Sequence, residues 1–226
     1  MHFHLPKPLH GWREFAGEVG IIVIGVLIAL SAEQVVEWFH WRSEVRGARE
    51  ALNAEASDNL LSAAGRAEQQ DCVDRRLSEI AAIFEDHAKG RRLNIRGNIG
   101  RPVIYIGAQD AWQVEVGGQA LTRMPLSEKL KYSAAFSTYA DLKQTLLREQ
   151  DAWLRLGMLD RPQILQEGDW QVLHQAFAEA ASLNLRLRAI TGDVLTNFTL
   201  GQRPGDVKPP PTIQLELKRI CTPIRQ

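Results

Sequence analysis

Cysteine is scarce: the chain holds two thiols, Cys72 and Cys221, among 226 residues. That excludes a disulfide-dense scaffold and a four-cysteine zinc site. An excess of charge is missing as well, because 27 Lys and Arg stand against 27 Asp and Glu. Without a net field the chain has no means to collect a phosphate backbone and release its counterions, so a dedicated nucleic-acid binder is excluded. There is no G-x-S-x-G turn, no H-E-x-x-H, no P-loop and no G-x-G-x-x-G. The nucleophile, zinc and nucleotide chemistries those patterns carry have no sequence basis. The expectation is a protein that is not an enzyme, with no catalytic residues, no metal and no cofactor. What is present is core material, 45% hydrophobic with 24% charged residues, well outside the disordered class.

The most informative segment is 19–32, VGIIVIGVLIALSA, fourteen residues without a charge, nine of them Ile, Val or Leu. As a helix it covers about 21 Å, short of a hydrocarbon core of roughly 30 Å. Length alone leaves three readings: a buried helix, a cleaved signal, or a short transmembrane helix. The flanks favour the last. Trp12 and Phe15 precede the run, and Trp38, Phe39 and Trp41 follow it, so aromatic rings sit where the two membrane interfaces would be. A helix over 15–36 spans the core, with Glu18 and Glu33 at its margins. Small residues near Ala29, Ser31 and Ala32 make a poor cleavage pattern, and helical spacing continues past them, so the anchor is expected to be retained.

The string from Gly17-Glu18 through Gly25-Val26-Leu27-Ile28-Ala29-Leu30 resembles the signature of an uncharacterised family of bacterial single-pass inner-membrane proteins. In that family a Gly-Glu pair enters a V-I-G-[IV]-L-I-A-L helix followed by a polar, Trp-containing exit. The resemblance is strong over about 25 residues and implies an inner-membrane anchor bearing a helical extramembrane domain. It implies no activity.

Flanking charge is nearly even, with Lys7 and Arg13 before the span and Arg42, Arg46 and Arg49 after it. Long domains translocate largely regardless of such charge. The thiols break the tie: in an oxidising compartment Cys72 and Cys221 are expected to form a disulfide, the alternative being two unrelated buried thiols. We therefore read a cytoplasmic N-terminus and a periplasmic domain. A bridge closing about 150 residues contributes up to ~5 kcal/mol in the chain-entropy model.

No proline interrupts the chain between Pro8 and Pro102. Apolar or small residues recur in steps of three or four from Val45 through Leu52, Leu60, Val73, Leu77 and Ile80 to Phe84, which predicts a long amphipathic helix ending near Gly90. Its expected break is Ser57-Asp58, whose side chains compete for backbone hydrogen bonds. Residues 90–108 read as a loop that either packs down or has a task. The segment 109–120 is assigned as helix over a hairpin. Pro125 opens one long helix and Asp169 is the expected N-cap of a second, which form an antiparallel pair. The fold class is all-α: one N-terminal transmembrane helix continuing into a long amphipathic helix, with a three- or four-helix extramembrane bundle. Its parts are a cytoplasmic tail 1–14, the span 15–36, a helical domain 37–201 (helices at about 37–88, 109–120, 125–157 and 169–200), and a Pro-rich tail 202–226. In that tail Ile213, Leu215 and Leu217 are expected to lie on the bundle.

The candidate site residues follow. Glu18, Gly25 and Ala29 form an intramembrane docking face, since a carboxylate in the hydrocarbon margin needs a donor or must snorkel, and small residues permit close helix approach. Trp12, Phe15, Trp38 and Trp41 are interfacial anchors. Arg91, Arg92, Arg96 and Arg101, with no acidic residue among them, offer a basic contact loop for an anionic headgroup or an acidic partner. His2, His4 and His10 lack neighbouring carboxylates or thiols for a metal, His174 is expected to be packed, and Glu85-Asp86-His87 point in different directions on a helix. The function expected is a membrane-anchored interaction or scaffold protein of the bacterial envelope, an accessory subunit or a homo-oligomer. Its partners are then the bilayer and other chains or itself. The alternative is a periplasmic ligand-sensing domain that signals through another protein, because the fourteen residues before the span hold no output module.

Overall fold

The computed structural model describes residues 11–203 and 219–224. His2, His4 and His10, and the tail residues Ile213, Leu215 and Leu217, lie outside the described residues. The chain divides into two compact units, one up to Gly47 and one from Ala48. Helix α1 (Trp12–Glu68) starts in the first and ends in the second.

In the first unit the apolar stretch is bare. Ile21 is 74% exposed and Ile28 65%, and apolar side chains face outward all round the helix. Exposed to water, that much apolar surface is costly at about 25 cal/mol per Å²; in hydrocarbon it is not. The helix is long and apolar enough to cross a membrane, with a mean hydropathy of 2.3 in its most apolar window. Its one hydroxyl there is satisfied without water, since Ser31 Oγ donates to the Leu27 carbonyl at 2.7 Å.

The second unit is all-α, without a strand among the described residues. It contains the end of α1, α2 (Gln70–Ala88), α3 (Asp110–Gly117), α4 (Ala120–Arg123), α5 (Leu126–Leu156), two 3₁₀ turns (Gly157–Asp160 and Pro162–Ile164) and α6 (Glu167–Asn197). Helix α2 stops where Gly90 turns to φ +63°. Two expectations are corrected. The long helix does not break at Ser57-Asp58 but at Gln69, whose amide side chain is used by another segment. The last helix does not begin after Asp169: Gln166 is its N-cap, and Asp169, three residues on, accepts the Gln166 N–H at 2.8 Å in a capping box. Asp169 fills the acidic half of that motif.

Helices α5 and α6 are antiparallel, as pairings of Asp141 with Arg186 and of Arg155 with Glu179 require. The end of α1, continued by α2, runs parallel to α5 (Arg49 to Glu128, Tyr132 to Asn53, Arg66 to Glu149) and antiparallel to α6 (Asp74 to Arg188, Phe84 to Phe177). The result is a three-column bundle. At one end its core holds Leu52, Leu60, Phe136 and Val194, and at the other Val73, Ile80, Trp153 and Leu173.

Residues 89–109 pack down as an extended strap along the outside of α1. Three buried side chains, Asn59, Ser62 and Gln69, receive its backbone, and Glu55 receives that of the helix that follows. Gln69 both donates to the Val103 carbonyl and accepts the Val103 N–H, each at 2.8 Å. Ser62 Oγ donates to Tyr105 O at 2.5 Å and Asn59 Nδ2 to Ala108 O at 2.9 Å. The Glu55 carboxylate accepts the N–H groups of Ala111 and Trp112, capping the free amides of α3. Gly107 lies so close to Asn59 that a Cβ would overlap its side chain and meet its Cα at 3.0 Å.

Between the two halves of the core lies one buried ion pair. Arg66 (1% exposed) donates to Glu149 (0%) through Nε at 2.9 Å and Nη2 at 2.7 Å, and Nη2 also reaches Asn184 Oδ1 at 2.8 Å. Gln70 and Asp74 complete the network around Asn184. Removing one partner of such a pair leaves an uncompensated charge and costs about 3–5 kcal/mol. Urea denaturation of Glu149→Leu is therefore expected to show that loss, while Arg66→Met/Glu149→Leu recovers most of it. At the strap, Gly107→Ala is expected to cost about 1–3 kcal/mol by overpacking, read as a lowered Tm.

Candidate ligand cleft

The strap, the C-terminal end of α5 and residues 219–224 enclose a cleft of about 820 Å³ in the second unit. Three elements build it, each for a local reason. Gly97 and Gly100 turn the strap through φ +79° and +67°, a region that disfavours side chains. Between them the backbone drops Ile99 into the core at 0% exposure, where its N–H donates to Asp160 Oδ1 at 2.6 Å. The second wall is α5, which contributes Gln150, Trp153 and Leu154 before ending at Gly157.

The third wall is the end of the chain, and it is tied down three ways. Cys72 of α2 and Cys221 form a disulfide with Cα atoms 4.7 Å apart across 149 residues. Ile220 and Ile224 are buried at 2% exposure in the core. The buried Arg76 guanidinium donates to the carbonyls of Ile220 at 3.2 Å and Thr222, and also to Asn98 of the strap at 3.3 Å. It thus joins two walls of the cleft. Burial lowers the Arg76 pKa, and the Glu79 carboxylate, 3.0 Å from Nε, opposes that shift and compensates the charge.

Electrostatically the cleft is basic. Arg96, Arg101 and Arg219 line it and are exposed, and among the described lining residues Asp160 is the one carboxylate. Its floor includes Trp153, 1% exposed, whose indole Nε1–H has no acceptor among the described residues.

Of the basic loop residues expected to act together, the fold brings Arg96 and Arg101 to this cleft. Arg91 instead pairs with Asp86 at 2.6 Å, and Arg92 is exposed away from the lining. Arg219 was not anticipated. Its signal was present: it stands two residues from Cys221, so a bridge to Cys72 carries it to α2. Trp153 and Asp160 gave none, because their roles depend on the strap folding back.

The remaining expected residues lie elsewhere. Glu18, Gly25 and Ala29 share one face of α1 and are exposed, with nothing within 4 Å of a Cβ built on Gly25. Trp12 and Phe15 stand with ring centroids 5.8 Å apart, Trp38 carries Arg42 at 5.0 Å, and Trp41 neighbours His40 at 5.1 Å. Glu85 pairs with Lys89, and His87 stacks on Trp170 at 3.6 Å, so the Glu85-Asp86-His87 groups diverge. His174 is exposed, a correction to its expected packing, with one ring face on Phe84 at 4.2 Å.

The chain matches no protein-family model, no curated protein and no solved structure among those compared. The disulfide generates a prediction. In Cys72→Ser/Cys221→Ser, amide exchange at residues 219–224 is expected to accelerate by at least about tenfold, while α5 and α6 keep their protection. Uniform acceleration would show that the bridge supports the whole bundle.

Proposed function

We propose that this protein is a membrane-anchored helical interaction protein of the bacterial envelope, an accessory subunit of a membrane complex or a homo-oligomer, related to the single-pass family its N-terminal signature resembles. The observation that carries the reading is the apolar stretch of α1, exposed among the described residues. A helix in hydrocarbon gains from lateral contacts through small residues and buried polar groups. Gly25, Ala29 and Glu18 on one face supply both. Trp12, Phe15, Trp38 and Trp41 hold the helix at the two interfaces. The Cys72–Cys221 disulfide supports a periplasmic bundle, since such bonds persist in oxidising compartments, and hence a cytoplasmic N-terminus in the inner membrane.

A periplasmic sensing role, with output through another chain, is the second reading, and the basic cleft favours it.

The expected outcome for the first reading is release from membranes by detergent and not by carbonate or salt, with a stoichiometric crosslinked partner or self-crosslink. Glu18→Leu/Gly25→Leu is expected to reduce that crosslink several-fold without releasing the chain from the membrane. Periplasmic activity of a reporter fused at residue 226 and none at residue 5 checks the topology; the reverse pattern overturns it.

A further inference from the structure

We propose that the cleft between the strap, α5 and the C-terminal segment is a binding site for a soluble organic anion with an apolar body. Nothing about this depends on what α1 docks against. Three features of the cleft select that class. Charge comes first: Arg101 and Arg219, far apart in the chain, line one opening together with Arg96, and among the described lining residues Asp160 is the one carboxylate, already accepting the Ile99 N–H. Arginine clusters of this kind recognise carboxylate, sulfonate or phosphate through paired N–H donors.

The second feature is the indole of Trp153. A buried N–H without an acceptor is costly, and native structures seldom leave one unanswered. Trp153 is part of the cleft wall, and its donor is unmet among the described residues. A molecule seated here packs against the wall that Trp153 belongs to. The third is the rest of the lining, in which Leu154, Val103, Ile104 and Pro223 give an apolar surface beside the polar one. A volume of about 820 Å³ falls in the range of sites for small organic ligands, far above what an inorganic ion fills.

Within the second unit the cleft lies away from the residue at which the chain enters it. Glu128 pairs with Arg49 next to Ala48, where the chain enters this unit. Gln150 stands 22 residues further along α5, about 33 Å at the helical rise. The cleft is at the other end of the unit from that entry point.

The test uses the full chain in phosphatidylcholine nanodiscs with ¹⁵N-labelled tryptophan, the Trp153 indole signal being assigned by its absence in Trp153→Phe. Probes are 2-naphthoate, its neutral analogue 2-naphthalenemethanol, and inorganic phosphate, each corrected against empty nanodiscs. The expected result is a saturable shift of the Trp153 indole signal with 2-naphthoate, none with the neutral analogue, and weak or no response to phosphate alone. Arg101→Ala/Arg219→Ala, at exposed positions, is expected to raise the Kd by about tenfold or more without changing the Tm. A Trp153 signal unmoved by naphthoate overturns the proposal. So does an equal response in the double variant, or a response that appears only with phosphatidylglycerol nanodiscs, which assigns the arginines to lipid.

Discussion

The charge pair of Arg66 and Glu149 sets the terms for the rest of the second unit. Two groups that cost several kcal/mol each to desolvate are sealed at 1% and 0% exposure and held in a two-pronged contact, with Asn184 taking a further guanidinium hydrogen. A carboxylate and a guanidinium buried in this way tolerate little displacement, so the pairing specifies how α1, α5 and α6 align lengthwise. Apolar stripes alone specify this less sharply, because leucine and alanine faces slide past one another at small cost. The ion pair also stands three residues before the helix break at Gln69, so the point where α1 gives way to α2 is itself fixed against α5.

From that register the strap follows. Positions 55, 59, 62 and 69 of α1 recur at spacings of four, three and seven, the geometry of one helix face, and Arg66 falls in the same series. The face is polar, yet buried. Asn59, Ser62 and Gln69 spend hydrogen bonds on a chain segment that has no secondary structure to satisfy its own amides and carbonyls, while Glu55 caps the helix that follows it. Gly107 then allows that segment to approach Asn59 at backbone distance. The strap in turn carries Gly97, Ile99 and Gly100 to the end of α5, where the cleft forms. The bridge to Cys72 and the Arg76 guanidinium carry the C-terminal wall to the same place. Cleft and core are therefore one construction, and Arg76 is the side chain shared between them.

Much of the architecture was legible in the residues. Periods of three and four announced α2, α5 and α6, Pro125 and Gly90 marked ends, and the hydrophobic run with tryptophans at both flanks announced the bare segment of α1. The misreadings have a common cause. Ser57-Asp58 looked like a break because polar side chains compete with the helix backbone; in the bundle that competition is decided at Gln69, whose amide serves the strap. Asp169 looked like a cap because aspartate caps well, and it does cap, but from the third helical position. In the cleft, Arg96 and Arg101 were visible as a basic cluster. Arg219 was marked only by its place two residues before Cys221, and Trp153 and Asp160 not at all, since each of these two takes its role from a neighbour more than fifty residues away.

What the chain determined without its fold is everything set by local chemistry. The apolar length, its aromatic flanks and the helical periods are properties of segments that act over a few turns of helix, and the balance of charge and the number of thiols are counts that need no fold. Tertiary structure alone decided which polar residues are buried, that the strap lies on α1, and that three arginines share one opening. Those outcomes depend on contacts between groups distant in sequence, where the cost of burying a donor, an acceptor or a charge is set by the partner that another segment brings.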